Sequence, residues 1–101
     1  MNEQTGVVVL IQIRGIQDRE DEARQALIHA IETSEKPGMS SSRVFADVHD
    51  ASAFFAIQEW DSIESFRAHM NDVESGFEEA TSMLAGQPQV KVLREIHSVT
   101  A

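Results

Sequence analysis

The stretch AFFAIQEWDSIESFRAHM, residues 53–70, changes its hydrophobic period partway along. Up to Trp60 the side chains alternate, with Phe54, Ala56, Gln58 and Trp60 on one face of a strand and Phe55, Ile57 and Glu59 on the other. From Asp61 onward, Ile63, Phe66 and Met70 recur at helical spacing. Asp61 is the expected helix cap, with Glu64 three residues on to complete a capping box. His69 follows Phe66 by three residues and so lies at the edge of the apolar stripe. A strand that runs directly into a helix, and holds the only tryptophan and three of the five phenylalanines, organises the reading of everything around it.

Upstream, residues 39–48 alternate Ser42, Val44, Ala46 and Val48 against Arg43, Phe45 and Asp47, as a half-polar strand does. With a turn at residues 49–52, this strand and residues 54–60 are expected to form an antiparallel hairpin. Residues 7–14, VVVLIQIR, form a first strand whose two faces are both largely apolar. Gly15 ends it, and Asp18 is the expected cap of a helix whose first turn carries Glu20, Asp21 and Glu22 at the positive end of the macrodipole. Ala23, Ala26, Leu27, Ala30 and Ile31 make its apolar stripe, with His29 off it, and Lys36, Pro37 and Gly38 end it. Downstream, Val73, Phe77, Ala80 and Leu84 are expected to continue the second helical stripe until Gly86 and Pro88 stop it. Residues 90–97 supply a last strand.

The order is βαββαβ. Two βα units with a hairpin between them predict a ferredoxin-like α+β fold, a four-stranded antiparallel sheet with both helices on one face. The other face then presents aliphatic and aromatic residues too apolar to leave in water, and a symmetric sheet-to-sheet homodimer is expected to bury it.

Composition narrows the classes of function. A chain of 101 residues with 42% hydrophobic side chains suits one domain, residues 1–101. The absence of cysteine excludes a disulfide framework and thiolate chemistry, and suits a reducing cytoplasm, the expected location. The longest aliphatic block, residues 7–11, is far below the roughly 20 residues that span a bilayer, so no membrane association is expected. A formal charge of -9, from 17 Asp and Glu against 8 Lys and Arg, repels phosphate backbones and makes nucleic acid an unfitting partner. The acids are spread along the chain as a solvated surface.

Chemistry-bearing residues are few. His69 is the candidate for proton transfer, because imidazole titrates near neutral pH and this one borders an apolar stripe. The alternative is a histidine that merely bonds a backbone carbonyl. Trp60 is either the wall of a site for a flat aromatic ligand or the packing of the strand–helix junction. Glu59 points to the opposite face, with Arg14 or Arg43 as its expected ion-pair partner. Met39, Met70 and Met83, with Phe66 and Phe77, line a soft pocket or fill the core. The four histidines fall on different elements without ligand spacing, and there is no glycine-rich phosphate loop, nucleophile elbow or Rossmann fingerprint. Neither a metal nor a cofactor is expected.

Glu59-Trp60-Asp61-Ser62, then Phe66 and His69-Met70, with Pro37-Gly38 before the second strand, resemble the motifs of the antibiotic biosynthesis monooxygenase-like family. The resemblance runs from Val7 to Ile96. It implies a dimeric α+β barrel with a pocket in each subunit between sheet and helices. It also implies an activity drawn from a set that includes cofactor-independent monooxygenases, quinol oxygenases, haem-degrading enzymes and isomerases. Residues 75–81 hold no histidine where the haem-degrading branch carries its axial ligand, which disfavours haem degradation; a mechanism that needs a tyrosine hydroxyl is excluded because the chain has none. Two functions of different class follow. One is a cofactor-independent monooxygenase, or related activity, on an aromatic, quinol or polyketide-like metabolite, with His69 as base and Trp60, Phe66 and Met70 against the substrate. The other is a non-catalytic dimeric module that holds a small hydrophobic ligand in the same pocket.

Overall fold

Strand β1 (Val7–Arg14) is the longest β-branched run in the chain, and it takes a central place in the sheet, where both of its edges are paired. In the computed structural model, which describes residues 6–33, 37–72, 84–86 and 88–100, the elements continue as α1 (Glu20–Thr33), β2 (Met39–Asp47), β3 (Asp50–Trp60), α2 (Ile63–Asp72) and β4 (Gln89–Leu93). The sheet is antiparallel with strand order β2-β3-β1-β4. The fold is ferredoxin-like α+β.

The register decides which face is which. Val7 pairs with Trp60, Val9 with Gln58, Ile11 with Ala56 and Ile13 with Phe54, and residues directly opposed across two strands point to the same side. These residues face the helices. Val7, Val9, Trp60 and Phe66 form one buried cluster under the start of α2, with Met39, Ile63 and Met70 packed on it. Ile13, Ala23 and Phe54 form a second under α1, with Leu27 and Leu84 packed on it. Ile11 touches both.

The other face carries Val8, Leu10, Phe55 and Ile57, all half-buried, and the more exposed Phe45 and Leu93. Arg43 lies on this face too, its guanidinium 4.9 Å from the centre of the Phe45 ring.

Several boundaries differ from the sequence-based expectation, each for a local reason. The hairpin turn is only Val48 and His49, because Asp47 pairs with Asp50 and β3 therefore starts earlier than residue 54. Val48 sits in this turn, 91% exposed, and not on a strand face. At the far end of β2 the register shifts between Met39 and Ser41, so that Met39 lies opposite Trp60 and reaches the core while Ser41 lies opposite Glu59 on the open face. Strand β4 stops at Leu93, opposite Val8, and not at residue 97, because β1 has only Val7 left to pair with. Ile96 beyond it is 96% exposed.

Asp18 does not cap α1. It adopts φ 70°, its amide donates to the Glu20 carboxylate, and the Arg19 carbonyl accepts the first helical bond from Ala23. Leu84, expected on a helical stripe, instead forms an isolated bridge with Gly15. The rest of that expected stripe, Val73, Phe77 and Ala80, lies outside the described residues.

Candidate functional site

The end of β3 and the start of α2 are held by a small polar lock. Ser62, one residue beyond the expected Asp61, is the cap: the Ser65 amide donates to its Oγ at 3.1 Å, and the Phe66 amide to its carbonyl at 3.4 Å. Asp61 has another task. Its amide donates to the carbonyl of Gly38 at 2.8 Å, tying the turn after α1 to the start of α2. Gly38 has φ 92°, and a Cβ there would stand 2.7 Å from the Ser65 side chain and 2.8 Å from Asp61 Oδ1. The Pro37-Gly38 and Trp60-Asp61-Ser62 segments, distant in sequence, are two sides of one contact.

This lock fixes the direction of α2, and Phe66 and His69, on one helical face, both meet Trp60. The Phe66 ring lies edge-on to the indole with centroids 5.7 Å apart at 65°, and the His69 ring lies tilted against it at 5.1 Å and 38°. Trp60 is 2% exposed and Phe66 6%, whereas His69 and Met70 are half-buried. The structure therefore gathers all four sequence-selected residues at one corner, with the imidazole on its accessible side. Of the soft-pocket methionines, Met39 and Met70 pack there; Met83 and Phe77 lie outside the described residues.

Two polar residues that the sequence reading did not select lie on the same side of the sheet. Gln58 is 7% exposed, and its Oε1 accepts from the Trp60 indole N–H at 3.0 Å. Ser42 is directly opposite Gln58 on β2, and its Oγ is buried with no hydrogen-bond partner among the described residues. An unpaired buried hydroxyl costs on the order of 1–3 kcal/mol. The signal for Gln58 is its place as the one polar residue in the row Phe54, Ala56, Gln58, Trp60. Ser42 has no comparable signal, since it is one of three consecutive serines, residues 40–42, near the start of β2.

Glu59 points to the open face as expected, but its partner is not an arginine. Its Oε2 accepts from Ser41 Oγ at 2.9 Å. Arg14 instead donates through Nη1 to Asp50 Oδ2 at 3.0 Å and to Ser52 Oγ at 2.9 Å. That group lines a groove of about 400 Å³ with Gln17 and Glu20, at the opposite end of β3 from Trp60. Hydrogen bonds from the Ser52 hydroxyl and amide, followed by that from Arg14, hold the Asp50 carboxyl below its ordinary value. The groove contains none of Trp60, Phe66, His69 and Met70.

His29 and His97 are exposed on α1 and beyond β4, and His49 lies in the hairpin turn. Among the described residues, no three His, Asp or Glu side chains converge as a metal site requires, and no helix is long and apolar enough to cross a membrane.

Comparison with known proteins places this corner in context. A family model described as antibiotic biosynthesis monooxygenase matches residues 6–82. No curated protein matches by sequence. Among solved structures, a protein from Pseudomonas aeruginosa superposes with a TM-score of 0.80 at 16% identity, over 96% of this chain and 100% of that one. A conserved protein from Methanosarcina mazei does so at 0.78 and 15%, over 91% and 94%. A variant of SnoaB, a cofactor-independent oxygenase from Streptomyces nogalater, does so at 0.81 and 10%, over 96% and 99%. At such identities the structural likeness establishes the fold, and the family rests on the sequence model.

Proposed function

The chain belongs to the antibiotic biosynthesis monooxygenase family, and from that premise we propose that it is a cofactor-independent monooxygenase of an aromatic, quinol or polyketide-like metabolite. The observation that carries the proposal is the half-buried His69 imidazole set against the Trp60 indole at 5.1 Å. A base is needed there. The neutral ring of a hydroquinone or anthrone does not react with oxygen readily, whereas its anion is an electron donor. In the proposed reaction His69 takes a proton from the activated C–H or O–H of the substrate. The anion passes one electron to dioxygen, and the resulting radical and superoxide combine into a peroxide on the ring carbon. The proton held by His69 passes to the terminal peroxide oxygen, and loss of water from the resulting hydroperoxide, with the remaining hydrogen of the same carbon, leaves a carbonyl. One oxygen atom enters the product, the other becomes water, and the substrate supplies both electrons. Trp60, Phe66 and Met70 are the apolar surroundings proposed to hold the ring.

The near-complete burial of Trp60 and Phe66 favours a second reading, a non-catalytic module that holds a hydrophobic ligand without proton transfer. In both readings the protein acts as a homodimer, with a second copy covering the face that bears Val8, Leu10, Phe45, Phe55 and Ile57.

Oxygen uptake with a panel of hydroquinones and anthrones separates the two. The expected result is uptake above blank that falls by about 100-fold or more in His69→Ala, the usual worth of a general base. Uptake equal to blank, or unchanged in the variant, would falsify the catalytic reading. Light scattering of the same sample is expected to give twice the 11.2 kDa chain mass; a monomer across micromolar dilution removes the dimer.

A further inference from the structure

We propose that Ser42 and Gln58 form an oxygen-recognition point beside Trp60, which selects aromatic ligands that carry a hydroxyl or carbonyl group. The inference rests on the reading of this corner as a ligand pocket and adds what kind of atom the pocket recognises.

The argument starts from the direction of one amide. An indole N–H only donates, so the Gln58 oxygen faces Trp60, as the 3.0 Å bond records. The amide NH₂ of Gln58 is thereby turned away from the indole as a donor. Ser42 is directly opposite Gln58 on the neighbouring strand, which places their Cβ atoms roughly 5 Å apart on the same side of the sheet. Its hydroxyl is buried and has no hydrogen-bond partner among the described residues. Buried polar atoms of native proteins are nearly always satisfied, so an unsatisfied one beside a second donor calls for an acceptor that the described residues do not supply.

The residues that border this pair on the two strands are small or of middle size. The two buried clusters meet through Ile11 of β1, not through β2. On the β2–β3 side the pair next to Ser42 and Gln58 is Val44 and Ala56, so between Trp60 and Phe54 the floor of the sheet carries no large side chain. A flat ring laid there brings an oxygen substituent to two donors, while its carbon edge meets the apolar cluster. A phenolate or quinone oxygen suits two donors. A bare hydrocarbon leaves both unpaired.

The test uses the only tryptophan in the chain, whose indole N–H gives a single resonance in a proton–nitrogen correlation spectrum. Wild-type protein and Ser42→Ala are titrated with 1-naphthol and with naphthalene. The expected result is that wild type binds 1-naphthol about tenfold tighter than naphthalene, and that the variant brings the two within about twofold by weakening 1-naphthol alone. A wild type without preference, a variant that keeps the preference, or a variant that loses both ligands equally overturns the recognition role while leaving the pocket in place. If neither compound moves the indole resonance, the pocket reading falls and the inference with it. A second measurement needs no ligand. Ser42→Ala removes an unsatisfied buried hydroxyl, so the free variant is expected to melt at or above the wild-type temperature; a lower midpoint shows that the hydroxyl already has a partner and overturns the proposal.

Discussion

Strand β3 begins at Asp50 and ends at Trp60, about 30 Å apart for a strand of this length, and its two ends are held by different physics. At the Trp60 end, rings and aliphatic chains are removed from water, and the polar contacts include the local bonds that start α2, the Asp61–Gly38 backbone bond and the Trp60–Gln58 bond. At the Asp50 end, Arg14, Asp50 and Ser52 share hydrogen bonds beside an open groove, with 54% of the Arg14 side chain and 42% of Asp50 exposed. Surface ion pairs contribute little because water competes for both charges, whereas a buried aromatic residue contributes through all of the surface it loses. The visible groove is therefore a poor guide to where the chain has placed its structural investment. The packed end sets its histidine ring against the Trp60 indole.

Variants at the two ends test this contrast, and the largest effect belongs to Trp60. Trp60→Ala is expected to remove about 3–5 kcal/mol of stability by denaturant unfolding followed by circular dichroism. A loss below about 1 kcal/mol would show that the corner is not the packing centre its burial implies. Next comes Gly38→Ala, which meets both a left-handed φ and the Ser65 side chain. It is expected to cost about 1–3 kcal/mol and to loosen the start of α2. A neutral result would mean that the turn and the helix are not rigidly joined.

The smallest effect is expected at the open end. The Asp50 carboxyl has a lower pKa in the folded chain than the ordinary 3.8. Its contribution is therefore present above that value and lost as pH falls through the folded pKa. Between pH 5 and pH 2, estimates that bracket the ordinary aspartate range, the wild-type midpoint is expected to fall slightly more steeply than that of Asp50→Asn. Parallel curves would remove Asp50 from the account of acid stability.

Much of the fold was legible because it rests on periods. The alternation in residues 54–60 and the helical recurrence of Ile63, Phe66 and Met70 are local patterns, and they correctly join Trp60, Phe66, His69 and Met70 across a single strand–helix junction. Caps were less legible. Asp61 and Ser62 are both good capping residues, and only the backbone path decides which side chain reaches the free amides. The same holds for Asp18, whose left-handed turn moves the helix start past it. Strand ends depended on partners, so β4 was read too long where β1 had no further residues to offer.

The sequence by itself determined the element order, the family and the four residues of the Trp60 corner, because those follow from residue types at short spacing. Tertiary structure decided which face of the sheet the helices cover, because alternation separates two faces without saying which one α1 and α2 pack against. It also decided that Pro37-Gly38 clasps the start of α2 and that Ser42 stands across from Gln58. Those are contacts between residues 16 or more positions apart, and no local pattern carries a pairing register: it is set when the strands align so that Phe54, Ala56, Gln58 and Trp60 all turn away from water together.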